Sequence, residues 1–262
     1  MSRPVLLAAQ AGVALAFLLL WHLVSTSGWF GDVKTMQFFF STPWDVVSRT
    51  VRWLGTADLY YHLGITLLEA ALAFVIGSAA GVALGFAFAR KEWLALVFDP
   101  YIKAANAIPR VLLAPIFALW FGLGIASKVA LGVTLVFFIV FFNVFQGVRE
   151  VPRAVLANAR MLGMNERQLL RHVYWPAALT WVFSSLHTSI GFAIIGAVVG
   201  EYLGASKGLG YLIHQMELNF DTTGVLSGIL ILMIFVLAID ALVTLVEKRL
   251  LVWRPDAGRV MG

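Results

Sequence analysis

Six stretches of this chain are apolar over lengths that approach or exceed the roughly 20 residues needed to cross a bilayer: 5–24, 65–89, 94–121, 126–148, 181–203 and 225–247. The rest of the chain is too short to bury that much apolar surface in a soluble core. Only 13% of the 262 residues are charged, against about a quarter in a soluble domain. Strands of about ten alternating residues, which a membrane barrel would need, are not found. The expected fold class is therefore all-α: a polytopic membrane protein with six transmembrane helices. It divides into an N-terminal span with an external interfacial segment (1–61), a transmembrane core (62–255) and a short tail (256–262). There is no room for a soluble catalytic domain. With no cysteine in the sequence, disulfides, thiolate metal sites and cysteine nucleophiles are excluded. The first span is long for a signal peptide and lacks a small-x-small cleavage site, so it is read as an uncleaved anchor.

Between the first two spans lies an aromatic, mixed polar segment (29–61) suited to the membrane interface. Thr42 as cap and Pro43 in the first turn predict a short amphipathic helix through about Leu54. In the second span Gly77, Gly81 and Gly85 share one helix face, which predicts close packing against another helix of the same chain. Asp99-Pro100, Pro109 and Pro115 break the third region. Freed backbone at membrane depth must be buried in protein or line a cavity, so Pro109 and Pro115 are candidate pathway residues; a kinked packing helix is the other reading.

The most polar run between two spans is 149–176, REVPRAVLANARMLGMNERQLLRHVYWP, with five arginines and two glutamates. Asn165 and Gln168 have capping-box spacing, Gly163 gives freedom to a turn, and Pro176 is expected to break the chain before the fifth span. The loop reads as two short helices along the membrane surface. With six spans, one side collects twelve lysines and arginines and the other five. The positive-inside rule then puts both termini, and this loop, in the cytoplasm.

Ala157-Asn158-Ala159, Gly163 and Val173-Tyr174-Trp175-Pro176 keep the spacing of the EAA motif, E-A-A, three residues, G, nine residues, I-x-L-P. The chain resembles the permeases of ABC importers on this basis. AIPRVLLAPIFALWFGLGIASKV, GEYLGASKGLGYLI and EKRLLVWRP look like the nitrate, sulfonate and taurine branch. The glutamate of the motif is missing here. The resemblance implies a type I (MetI-like) transmembrane domain whose 149–176 loop couples to a separate ATPase through Ala157, Asn158, Ala159, Arg160, Leu162, Gly163, Met164 and Pro176. It also implies a second permease copy, an external solute-binding protein, a bacterial inner membrane and a small anion or related nutrient as substrate. ATP would be used by the partner subunit, with no cofactor, metal or nucleic acid bound by this chain. No phosphate-cradling G-x-x-x-x-G-K-[ST] sequence is present.

Other polar positions inside spans are weaker candidates. Ser185 and Ser189 could line a polar path, although hydroxyls in spans more often bond their own helix. Glu201, at the outer end of the fifth span, is a candidate gate residue expected to pair locally. Asp240 is expected to reach Lys248 or Arg249, and His187 to bond within its own span. A secondary transporter driven by an ion gradient would need acidic or histidine relays and internal repeats, and Asp240 is the single position that could serve one.

Overall fold

The computed structural model describes residues 2–28 and 31–250. The tail expected at 256–262 lies outside the described residues. In chain order the helices are α1 (Arg3–Thr26), α2 (Val33–Phe40), α3 (Pro43–Leu54), α4 (Ala57–Arg90), α5 (Glu92–Ala107), a 3-10 turn (Arg110–Leu113) and α6 (Ala114–Phe121). Then follow α7 (Ile125–Arg149), α8 (Arg153–Met161), α9 (Glu166–Leu169), a π turn (Leu170–Tyr174), α10 (Trp175–Gly204), α11 (Leu209–Leu218) and α12 (Thr222–Leu250).

The core is built where α4, α7 and α10 meet, from small and β-branched side chains: Ala70, Val136, Val140, Val144, Ala193 and Ala197. Lipid tails are as apolar as these residues, so no hydrophobic force drives the helices together, and close fit must do so instead. The glycine face of α4 supplies it. A Cβ at Gly77 would stand 2.8 Å from Val136, one at Gly81 2.8 Å from Val140, and one at Gly85 2.7 Å from the Phe141 carbonyl. The expected intrachain packing face is therefore observed.

These contacts also fix direction. Positions on α4 and α7 rise together along the seam, so the two helices run parallel. The chain between them must therefore return across the membrane. α5 and α6 are separated by a bend of 87°, and together they make that one return crossing. Along α7 and α10 the paired positions run oppositely, Lys128 with Gly200, Gly132 with Gly196 and Gly147 with Trp181, so these helices are antiparallel. Among the described residues five helices are long and apolar enough to cross alone, and the bent pair makes six.

The interfacial helix α3 forms where its caps predict. Thr42 Oγ1 accepts from the Asp45 N–H at 3.2 Å, Pro43 occupies the first turn, and Gly55 follows the end. Its buried face, Val46 and Thr50, lies over the start of α12. Ser227 Oγ donates to the Val46 carbonyl at 3.1 Å, and Arg49 pairs with Asp221 at 2.9 Å. The sequence starts the second span at 65, but α4 begins at Ala57. Its first turns carry Asp58 and His62, and hydropathy registers only the apolar part of a helix that projects beyond the bilayer.

Gly81→Val is expected to lower the unfolding temperature in detergent, at the cost of about 1–3 kcal/mol typical of overpacking. Gly64→Ala, with nothing within 4 Å of the added Cβ, is expected to be neutral or slightly stabilising. Differential scanning fluorimetry of the two variants checks the contrast.

Candidate functional site

The 149–176 segment forms a hairpin of short helices on the face where α4 ends. Gly163, with φ +82°, follows α8 and closes it with two bonds: its own N–H donates to the Arg160 carbonyl at 2.9 Å, and the Met164 N–H donates to the Ala159 carbonyl at 3.1 Å. This is a Schellman closure, and it needs the left-handed backbone that glycine adopts at no cost. Asn165 then starts α9 with the expected capping box. Its Oδ1 accepts from the Gln168 N–H at 2.9 Å, and Gln168 Oε1 accepts from the Asn165 N–H at 2.8 Å.

Glu166 ties the hairpin to the bundle. One carboxylate oxygen meets Arg90, at the end of α4, at 2.7 Å; the other meets Arg160 on α8 at 3.5 Å. The Arg90 guanidinium also lies 4.9 Å from the Tyr174 ring centroid. Ala159 is buried against this frame, whereas Ala157, Asn158 and Arg160 are exposed. The turn itself presents Met161 and Leu162, 80% and 81% exposed. Two large apolar side chains thus stand exposed side by side at the tip of a braced hairpin. Met161 was not singled out in the sequence, since an apolar residue on a short helix reads as its buried face.

Pro176 does not break the chain. α9, the π turn and α10 continue into one another, with Pro176 in the first turn of α10. In a plain α-helix its ring would clash with the carbonyl four residues back. Here the Trp175 N–H reaches five residues back, to the Leu170 carbonyl, and this widened turn absorbs the proline.

At the opposite end of the bundle, α11 begins in a clamp. Three successive backbone N–H groups, which a helix start leaves without intrahelical partners, are taken by side chains of other helices. Gly208 donates to His62 Nδ1 at 2.8 Å, Leu209 to Thr66 Oγ1 at 2.9 Å and Gly210 to Glu201 Oε2 at 2.7 Å. Thr66 passes its own proton on to Glu201 Oε1 at 2.7 Å. Because His62 Nδ1 accepts, the ring proton sits on Nε2, 3.6 Å from Asp58. A Cβ at Gly208 would strike the Glu201 carboxylate, and one at Gly210 would strike the Val198 carbonyl. Lys128, 2% exposed, donates to the Leu123 carbonyl and, at 2.6 Å, to the Gly204 carbonyl, joining the start of α7 to the end of α10. Glu201 is thus held by hydrogen bonds from Thr66 on α4 and from the start of α11.

The remaining candidates fall in different places. Pro109 precedes the 3-10 turn. Pro115 opens α6 and lines a cavity of about 500 Å³ with Ala114, Ala118, Leu203 and Gly204. Ser185 and Ser189 are buried and bonded to their own helix, to the Val182 carbonyl at 2.7 Å and the Ser185 carbonyl at 2.6 Å. Asp240 lies 3.3 Å from His187 on α10. α10 and α12 face one another at this depth, so each of the two residues has a partner on a neighbouring helix. The side chains of Lys248 and Arg249 lie outside the described ones.

A bundle with a broken third crossing, a braced surface hairpin at one end and a clamped short helix at the other defines a membrane transport subunit. The profile of the family described as "Binding-protein-dependent transport system inner membrane component" matches residues 61–252. The chain belongs to that family, the permease subunits of ABC importers. It is 33% identical over 213 residues to an aliphatic sulfonates transport permease, SsuC, of Bacillus subtilis, covering 81% of this chain and 77% of that one. It is also 33% identical over 217 residues to the formylaminopyrimidine transport permease ThiX of Halalkalibacterium halodurans, covering 83% and 86%. The MetNI methionine ABC transporter shares the fold, with a TM-score of 0.56 at 19% identity over 79% of this chain and 95% of that one. The chain is a multi-pass membrane protein of a transport permease family.

Thr66→Val is expected to orphan the Leu209 N–H and remove one bond to Glu201, each buried group costing about 1–3 kcal/mol. Hydrogen exchange at the Gly208–Gly210 amides would accelerate, while that of the α4–α7 core would not.

Proposed function

We propose that this permease couples to a separate ATPase subunit through the 149–176 hairpin, with Met161 and Leu162 seated in a groove of that partner. The observation that carries this reading is the exposure of these two side chains at the tip of a hairpin that is otherwise closed and braced. Burying each on docking contributes roughly 1.5–3 kcal/mol. Arg160, exposed beside them, adds charge complementarity to an acidic rim. The hairpin face carries the excess of lysine and arginine, which supports a cytoplasmic placement for it and for both termini in a bacterial inner membrane. ATP is bound by the partner and not by this chain.

On the outer face, α11 and its clamp receive an external solute-binding protein. Two copies of the chain enclose the path, and alternation between two states carries solute across. The substrate is a small organic or inorganic anion or a related small nutrient. Relatives named for a sulfonate and for a formylaminopyrimidine support a small polar solute, and the sulfonate permease supports the anion.

Pull-down from mild detergent tests the coupling. An ATPase subunit should co-purify with the wild type and be lost from Leu162→Asp, and from Gly163→Pro combined with Arg160→Glu, with the unfolding temperature of Leu162→Asp unchanged. Retention of the ATPase by both variants would overturn the assignment. So would a chain that binds no ATPase and moves solute down an ion gradient alone.

A further inference from the structure

The break in the third crossing exposes one cation to the interior of the bundle. Arg110 opens the 3-10 turn between α5 and α6. Its guanidinium lies 5.1 Å from the centroid of the Phe138 ring, and one terminal nitrogen donates to Asn106 Oδ1. Its Nε is buried without a hydrogen-bond partner. Among the described residues no carboxylate comes within ion-pair distance of it. Phe138 stands near the middle of α7, roughly 20 Å from one end and 16 Å from the other at about 1.5 Å per residue. A cation at that depth with no counter-ion is expensive and marks function.

The guanidinium faces a cavity of about 290 Å³ between the break, α7 and α10, the space of roughly ten waters at about 30 Å³ each. The cavity has two kinds of wall. Asn106, Arg110 and Asn143 are polar, and Phe138, Phe142 and Phe192 are aromatic. Asn143 donates to the Ile139 carbonyl of its own helix at 2.8 Å. Asn106 holds the guanidinium fork through its oxygen and keeps its amide N–H groups for a second acceptor. The donor set suits a planar or tetrahedral oxyanion, and the rings suit a short carbon body.

We propose that Arg110 is the anion-recognising residue of the translocation path. It meets the oxyanion of a small organic solute of the carboxylate, sulfonate or phosphate class, with Asn106 beside it and the carbon body against Phe138, Phe142 and Phe192. The occupant supplies the charge that the protein withholds, so neutral and cationic solutes of the same size are discriminated against at the midplane. This rests on the reading of the chain as the path-forming permease.

The absence of cysteine makes a direct test available. Leu135 lines the same cavity, and Leu135→Cys would be the sole thiol. The full chain in lipid nanodiscs is treated with two methanethiosulfonate reagents, one bearing an ethanesulfonate and one a quaternary ammonium, with rates normalised to those for free cysteine. The sulfonate reagent is expected to react faster by about tenfold or more, the scale of local enrichment by a charged cleft. Arg110→Gln should remove the preference, Arg110→Lys should retain it, and free ethanesulfonate should slow the reaction only when the cation is present. Equal normalised rates with Arg110 in place would overturn the proposal. So would a preference that survives Arg110→Gln, or a thiol that neither charged reagent reaches although a lipid-soluble maleimide does. Arg110→Lys and gel filtration control for misfolding. Labelling needs no ATPase, so the two readings fail separately: ATPase binding without charge preference removes the site alone, and an Arg110-dependent preference in a chain that binds no ATPase removes the coupling alone.

Discussion

Between α4 and α7 nothing larger than a hydrogen fits at Gly77, Gly81 or Gly85 without moving a valine or a carbonyl of the facing helix. In a bilayer this contact has no hydrophobic drive behind it, so its strength is the sum of many dispersion contacts at short range. The seam also fixes the two helices as parallel, and so obliges the intervening chain to cross back. That crossing has α5 and α6 as its two arms and the Arg110–Leu113 turn between them. The return crossing follows from the glycine seam, and its break stands at Pro109 and Pro115.

Polar groups secure the two ends of this bundle in different ways. At the hairpin end the ties are exposed ion pairs centred on Glu166, of the kind worth a fraction of a kcal/mol up to about 1 kcal/mol each and weakened by salt. At the other end the ties are buried hydrogen bonds from His62, Thr66 and Glu201 to consecutive amides, where an unmade bond is costly. The hairpin can therefore shift against α4 at small cost, while the start of α11 is held firmly. This asymmetry suits a subunit that receives motion at one face and must register it at the other.

Local chemistry was readable from residue types and spacing alone. The Thr42 cap of α3, the Asn165–Gln168 capping box and the turn at Gly163 all formed where those residues stand, because each involves partners three to five residues apart. The glycine face of α4 was readable for the same reason, though not its partner valines. The clamp was not, since Thr66 and Glu201 are 135 residues apart and no local pattern links them. Lys128 carries no local signal of its buried role, and only the folded bundle brings the Gly204 carbonyl to it. Asp240 meets His187 across the bundle, a contact that no spacing along its own helix signals. Pro176 was misread because the rule that proline ends a helix holds for α geometry and is relaxed by a π turn.

That π turn joins α9 to α10, so the chain from Glu166 to Gly204 is one continuous helical body, roughly 58 Å long at about 1.5 Å per residue. Its near end carries the carboxylate that meets Arg90 and Arg160, and close to its far end Glu201 holds the first turn of α11. The hairpin's carboxylate and the clamp of α11 thus stand on one unbroken run of helical backbone, with no loop between them. A helix advances about 100° per residue, so the widened turn also sets the angular phase between the two ends. The five residues Leu170–Tyr174 are the place in that run where the turn is widened, and they fix how its two ends are rotated relative to one another.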